Sequence, residues 1–199
     1  MSAANLNDSN HMIDCQPASF VGARYIGGNL IKSLDGKSPQ VHPSAFVSEA
    51  AYVIGDVEIG EGSSIWPGVV IRADMGKIKI GSNTCIQDNS VVHGDADVEI
   101  GNRVVIGHKV LCHARKVGNR VMIGSGATVN DGVEIGDYSL IASGSMVIDE
   151  MKVPERSLVV GLPARIRGAV EERHTRLIDS TCESYIHKTK RYKQHGDLE

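Results

Sequence analysis

The stretch that decides the fold is VGNRVMIGSGATVNDGVEIGDYSLIASGSMVIDEMKV, residues 117–153. Every sixth residue in it, from Val117 to Val153, is Val or Ile. Shorter runs with the same step of six precede it along the chain, and Cys112 is their only member that is neither Val nor Ile. A small residue or Val stands four places after most of these positions, and Gly often follows the aliphatic residue directly.

A period of six fits neither the 3.6-residue repeat of a helix nor the simple alternation of a strand. A short strand followed by a corner, repeated every six residues, satisfies it. The aliphatic residue and the small residue then both point inward, and successive coils stack to bury one continuous apolar column. Glycine is expected at the corners because it tolerates unusual backbone angles. A β-sandwich is the alternative, but its strands would alternate with a period of two.

This pattern resembles the hexapeptide-repeat proteins, whose fold is a left-handed parallel β-helix with three hexapeptides per triangular coil. The resemblance implies an all-β fold of roughly seven coils between Val41 and Arg165. We predict a flexible N-terminal segment over 1–20, the β-helix domain over 21–168, and a C-terminal helix and tail over 169–199. After residue 168, a stripe of residues recurs at spacings of three and four, as in an amphipathic helix packed on the β-helix or on a neighbouring subunit. Its members are Val170, His174, Leu177, Ile178, Cys182, Tyr185 and Ile186.

Composition excludes several classes of protein. The chain has 199 residues and a formal net charge of -3, so no basic excess favours nucleic-acid binding. Apolar runs are too short for a transmembrane helix, which needs about 18 residues or more, and no secretory signal is apparent. The four cysteines are far apart in sequence, which argues against a disulfide scaffold and for the cytoplasm.

Three histidines interrupt the repeat: His93, His108 and His113. His93 directly follows the repeat residue Val92, and His113 directly follows Cys112, one full coil later. The two should therefore stack at one corner about 4.8 Å apart, close enough to share one Zn²⁺ ion. His108 falls at the preceding corner, so we expect it to complete the site of a neighbouring chain in a threefold assembly. Three turn histidines without a metal are the alternative.

The polar residues around these histidines form an ordered set. Its segments are Ile71-Arg72-Ala73-Asp74, Ile86-Gln87-Asp88-Asn89, Val91-Val92-His93-Gly94, Ile106-Gly107-His108 and Cys112-His113. In this order they resemble the γ-class carbonic anhydrase family, as do the segments at 66–72 and 158–164. The resemblance spans nearly all of residues 40–190.

The resemblance implies a homotrimer with a divalent metal at each subunit interface, bound by His93, His108 and His113, with His108 from the adjacent chain. Three neutral imidazoles would leave the charge of the ion unquenched and lower the pKa of a bound water toward ~7. The implied reaction is the hydration of CO₂ to bicarbonate, a lyase activity. Zn²⁺ is the expected ion, with Fe²⁺ or Co²⁺ as alternatives.

The resemblance also implies roles for four further residues. Gln87 would orient the reacting water, and Arg72, Asp74 and Asp88 would form an ion-pair network across the interface. Simple adhesion of the subunits is the alternative role for these charges. Met75 follows Asp74 where some family members carry Glu, which argues against a dedicated proton shuttle.

Other functions remain open at this stage. The same metal could support an acyl-CoA thioesterase, a metal-free hexapeptide acyltransferase could use a catalytic histidine, and a trimeric scaffold could hold a structural metal. Cys112 beside His113 suggests a Cys–His nucleophile, but a thiol in a core position is the simpler interpretation.

Overall fold

A computed structural model describes residues 30–195 of the chain. The predicted N-terminal segment, 1–20, and the end of the predicted tail, 196–199, lie outside the described residues. The described part is a left-handed parallel β-helix of about seven turns followed by a C-terminal helix. The fold class expected from the repeat is therefore confirmed.

Most strands are only two or three residues long, because each runs between two corners of the triangular coil. In chain order they are β1 (Ile31–Lys32), β2 (Gln40–Val41), β3 (Phe46–Val47), β4 (Tyr52–Ile59), β5 (Ser64–Ile65), β6 (Val70–Ile80), β7 (Cys85–Ile86), β8 (Val91–His93), β9 (Val98–Ile100), β10 (Val105–Ile106), β11 (Leu111–Cys112), β12 (Lys116–Val117), β13 (Met122–Ile123), β14 (Thr128–Val129), β15 (Glu134–Ile135), β16 (Leu140–Ile141), β17 (Met146–Val147), β18 (Lys152–Val153), β19 (Ser157–Gly161) and β20 (Ala164–Ala169), followed by helix α1 (Glu172–His195).

The strands stack on three faces. Face A comprises β3, β5, β7, β10, β13, β16 and β19. Face B comprises β1, β8, β11, β14 and β17, and face C comprises β2, β9, β12, β15 and β18. The long strands β4 and β6 bend around the corner between faces B and C and belong to both. Strand pairs on the three faces are parallel, whereas β20 runs antiparallel to β19 at the end of the β-helix.

The core is the column that the repeat predicts. From Val53 to Val159, every repeat position is at most 3% exposed. The small residues four places later also point inward, and the hydroxyls among them bond to backbone: Ser90 Oγ donates to the carbonyl of Gly107 at 2.7 Å. The buried members of this core are Val, Ile, Ala and Cys, which explains how so few aromatic residues suffice.

The glycines that follow repeat residues are needed for a different reason from the unusual backbone angles expected of them. None of them has a positive φ. They are Gly60, Gly81, Gly101, Gly107, Gly118, Gly124 and Gly136. A Cβ on Gly101 would lie 2.7 Å from the carbonyl oxygen of Gly118 in the next coil, so close approach of the coils excludes a side chain. Left-handed φ occurs two places further on, as at Gly126 (φ 70) and Asn89 (φ 60).

Helix α1 packs on face A, as one of the two expected placements predicts. Cys182 and Tyr185 pack against Trp66, whose ring lies 5.3 Å from that of Tyr185 in an edge-on arrangement. Leu177, expected on the apolar stripe, is instead 49% exposed, because the buried side of the helix passes through Ile178 and Cys182. Within residues 30–195, no helix combines the length and apolarity needed to cross a membrane.

The outward side chains differ sharply between the other two faces. Face C carries a ladder of alternating charge: Glu58, Lys79, Glu99, Lys116, Glu134 and Lys152. Face B carries a mostly apolar ladder in register: Tyr52, Val70, Val91, Leu111, Thr128 and Met146. Helix α1 covers face A, and the charged side chains of face C are compatible with contact with water. Among residues 30–195, face B is therefore the apolar face that no other element covers.

Candidate metal centre

His93 and His113 lie together at the corner between faces B and C. Val92 pairs with Cys112 in adjacent parallel strands, so the residues that follow them come into the same position one coil apart. The ring centroids are 4.8 Å apart, the strand spacing that their phase predicts. His93 Nδ1 lies 3.1 Å from His113 Nε2.

A carboxylate contacts the other nitrogen of each ring. His93 Nε2 lies 2.8 Å from Asp74 Oδ1, and His113 Nδ1 lies 2.8 Å from Asp131 Oδ1. Arg72 pairs with Asp74, and the hydrogen bond from His93, assisted by this guanidinium, holds the pKa of Asp74 below its usual value. A carboxylate only accepts hydrogen bonds, so each imidazole donates its N–H to its carboxylate.

These tautomers leave the lone pairs of His93 Nδ1 and His113 Nε2 facing each other across 3.1 Å. Two acceptors at that distance repel each other unless a proton or a metal cation lies between them. Two imidazoles bound to one tetrahedral Zn²⁺ have nitrogens about 3.3 Å apart, given bonds of ~2.0–2.1 Å. Metal-binding histidines also characteristically donate their second N–H to a carboxylate. The pair therefore fits a shared divalent metal.

His108 lies at the other end of face B, at the corner between faces A and B. Ile106 pairs with Ile86 in the adjacent coil, which brings His108 beside Asp88. His108 Nδ1 lies 3.1 Å from Asp88 Oδ2, so all three histidines have a carboxylate on one ring nitrogen. The His108 side chain is 49% exposed and therefore accessible to a second molecule.

One chain does not gather a complete site. Among residues 30–195, no three His, Cys, Asp or Glu side chains converge where they could hold a metal ion. This agrees with the expectation that His108 belongs to a different corner from the other two histidines. Within the described residues, no third imidazole joins the His93–His113 pair.

Gln87 is buried at 5% exposure beside Asp88, at the end of face A. It thus lies with His108 and apart from the corner that holds His93 and His113. Of the residues predicted for the site, one group occupies the corner between faces A and B and the other occupies the corner between faces B and C. Gln87, Asp88 and His108 form the first group, and Arg72, Asp74, His93 and His113 form the second.

Asp131 was missed by the sequence analysis, which considered polar residues only up to His113. A signal was present, since Val129 is the next repeat residue on face B after Cys112, and Asn130-Asp131 follows it. Asp131 and His113 both line a cleft of about 660 Å³ at this corner. Acidic side chains dominate the polar lining, including Asp95 and Glu150.

Cys112 is fully buried in the core, and burial raises the pKa of its thiol to about 11. It points away from the corner that holds His113. The structure therefore favours a core thiol over a Cys–His nucleophile.

The chain is similar in sequence and fold to several known proteins. Residues 38–73 and 116–149 match the bacterial transferase hexapeptide (six repeats) family model. A carbonic anhydrase of Geobacillus kaustophilus is 37% identical over 166 residues, covering 82% of this chain and 91% of that protein. The mitochondrial gamma carbonic anhydrase 2 of Arabidopsis thaliana is 36% identical, and the match spans 75% of this chain and 57% of the plant protein.

Among solved structures, a hexapeptide transferase family protein from Anaplasma phagocytophilum superposes with a TM-score of 0.79. It is 36% identical and the match covers 82% of this chain and 98% of that one. With the repeat, the histidine pair and relatives that match over most of its length, the chain belongs to the γ-class carbonic anhydrase family.

Proposed function

We propose that the protein is a metal-dependent γ-type carbonic anhydrase, a homotrimer that reversibly hydrates CO₂ to bicarbonate where its subunits meet. The observation that carries the proposal is the 3.1 Å approach of His93 Nδ1 to His113 Nε2, with Asp74 and Asp131 each contacting the other nitrogen of one ring. A metal cation between the two nitrogens would satisfy both lone pairs.

The uncovered apolar ladder of face B supports the trimer. It runs between the corner of His108 and the corner of His93 and His113. When three copies turn face B toward a common axis, the first corner of each copy meets the second corner of the next. Each of the three contacts then combines two imidazoles from one chain with His108 from its neighbour.

Zn²⁺ held by three neutral imidazoles would supply an activated water at neutral pH, with Fe²⁺ and Co²⁺ as the alternative ions. The residues of the chain have the remaining tasks. Arg72 holds Asp74, and Asp74 fixes the ring of His93. Asp88 Oδ2 lies 3.1 Å from Nδ1 of His108, close enough to pair with that ring. Gln87 enters the shared site with His108, where its amide would orient the reacting water through a hydrogen bond.

The test is stopped-flow CO₂ hydration by the full-length protein, stripped of metal and then reloaded anaerobically with Zn²⁺ or Fe²⁺. We expect turnover that requires the metal, disappears on chelation and is lost in His113→Ala. Glu99→Gln, on the charged face C, is the matched control and should retain full activity.

A protein that binds metal at the three histidines but hydrates no CO₂ with either ion would contradict the proposal. The same preparations should then be assayed for release of free thiol from acyl-CoA, the thioester chemistry that the sequence left open. Reaction with acyl-CoA that persists without metal would instead favour acyl transfer by a histidine base.

A further inference from the structure

Among the contacts at this corner, the one between Asp131 and His113 is the contact for which the family resemblance implies no role. Asp131 is 58% exposed at its side chain, whereas His113 is 23% exposed. The carboxylate faces the histidine although no basic side chain among residues 30–195 forms a salt bridge with it apart from that ring. An exposed carboxylate with so much freedom needs a backbone that aims it.

The backbone around Asp131 is held from both sides. Its carbonyl accepts a 2.8 Å hydrogen bond from the amide of Glu150 in the next coil. The following residue, Gly132, has a φ of 66, and a Cβ there would lie 2.0 Å from the carboxylate of Glu150. The Glu150 hydrogen bond and the left-handed conformation of Gly132 belong to the turn from which Asp131 Oδ1 reaches His113 Nδ1 at 2.8 Å.

The hydrogen bond to Asp131 also determines which nitrogen of the His113 ring carries the lone pair. While Nδ1 donates to Asp131, the lone pair must be on Nε2, the nitrogen that faces His93. Without that acceptor, the proton is free to move to Nε2, and the lone pair then points away from the shared position. Asp74 fixes His93 in the corresponding way, through Nε2 of that ring. Loss of either carboxylate would therefore allow the lone pair of one histidine to point away from the position that the two rings share.

We propose that Asp131 is a positioning residue, which fixes the tautomer and orientation of His113 so that two imidazole nitrogens converge on one divalent metal ion. The proposal rests on the proposed function for the identity of the site, but the tautomer of His113 exists in the metal-free protein as well. An experiment can therefore contradict the role of Asp131 without contradicting the proposed function, and the reverse.

Two measurements on the full-length protein test it. Histidine side-chain ¹⁵N spectra of the metal-free protein, assigned with His113→Gln, report which ring nitrogen of His113 carries the proton. Competition with a chromophoric chelator gives the affinity for Zn²⁺ itself. The variants are Asp131→Ala, Asp131→Asn, whose amide oxygen can still accept the hydrogen bond, and Asp95→Ala, which removes a carboxylate from the same cleft.

We expect Asp131→Ala to shift His113 to a mixture of tautomers and to weaken Zn²⁺ binding about 10–100-fold. Asp131→Asn should keep the wild-type tautomer and recover most of the affinity, and Asp95→Ala should stay within about twofold of wild type. Circular dichroism identifies any variant that fails to fold, and Asp131→Asn alone then decides through the tautomer.

An unchanged tautomer in Asp131→Ala would overturn the proposal, as would equal losses of affinity in Asp131→Ala and Asp95→Ala, which would indicate a general effect of charge. A wild-type protein that binds no Zn²⁺ would contradict the proposed function, whereas the tautomer shift would still support the role of Asp131.

Discussion

Cys112 pairs with Val92 one coil below it, and this register is what brings His113 beside His93. His113 follows His93 by 20 residues, two more than three hexapeptides contain. The phase is nevertheless restored at Cys112, whose side chain is fully buried. The core thus determines the separation of the two imidazoles.

Complementation between subunits should distinguish a shared site from a site within one chain. His108→Ala and His113→Ala should each lose metal while keeping the β-helix circular dichroism spectrum. Co-expressed and purified as mixed trimers through two different tags, they should regain about one third of the wild-type metal and CO₂ hydration, since one contact in each ring then has all three imidazoles. Metal content and stopped-flow rates provide the measurement.

The control for this experiment is a mixture of His113→Ala with His93→Ala. Both lesions then affect the same half of the site, so no contact in the ring is complete. Recovery in this control, or none in the first mixture, would contradict a site built from two chains.

Leu111 should be essential for assembly. It is 40% exposed in the middle of the apolar ladder on face B, between Val91 and Thr128. We expect Leu111→Glu to convert the trimer to a monomer, because burial of an unpaired charge costs several kcal/mol. Gln40→Glu adds the same charge on face C and should leave the trimer intact. Sedimentation equilibrium measures both, and a trimeric Leu111→Glu variant would exclude face B as the interface.

The sequence predicted the coils and the histidine phases because both depend on one periodic quantity, the inward position of Val and Ile. The phase of Val129 also brings Asp131 to this corner, but it could not predict the contact with His113, which depends on a turn bonded to Glu150 in another coil. The phase of the repeat was also the only sequence feature that assigned each polar residue to one of the two corners. The exposure of Leu177 likewise depends on how α1 lies across face A, which periodicity alone does not determine.

The two kinds of glycine should respond oppositely to substitution. Gly101→Ala forces a methyl group to within 2.7 Å of the next coil and should lower the free energy of unfolding by about 1–3 kcal/mol. Gly126 has a φ of 70 and open space around it, so Gly126→Asn should remain close to wild type. Urea denaturation followed by circular dichroism compares them. Equal losses would contradict the view that the spacing of coils distinguishes Gly101 from Gly126.

Met75 lines the cleft beside His113 and is 69% exposed, at a position suited to exchange protons with solvent. Each hydration of CO₂ releases a proton, and a thioether cannot carry it, so kcat should rise with buffer concentration. Met75→Glu should raise kcat several-fold at low buffer and converge with wild type at high buffer, while kcat/KM for CO₂ changes little. Met75→Gln has a similar shape without an ionisable group and should behave like wild type. Equal kcat values for the Glu and Gln variants at every buffer concentration would show that proton export at this position does not limit turnover.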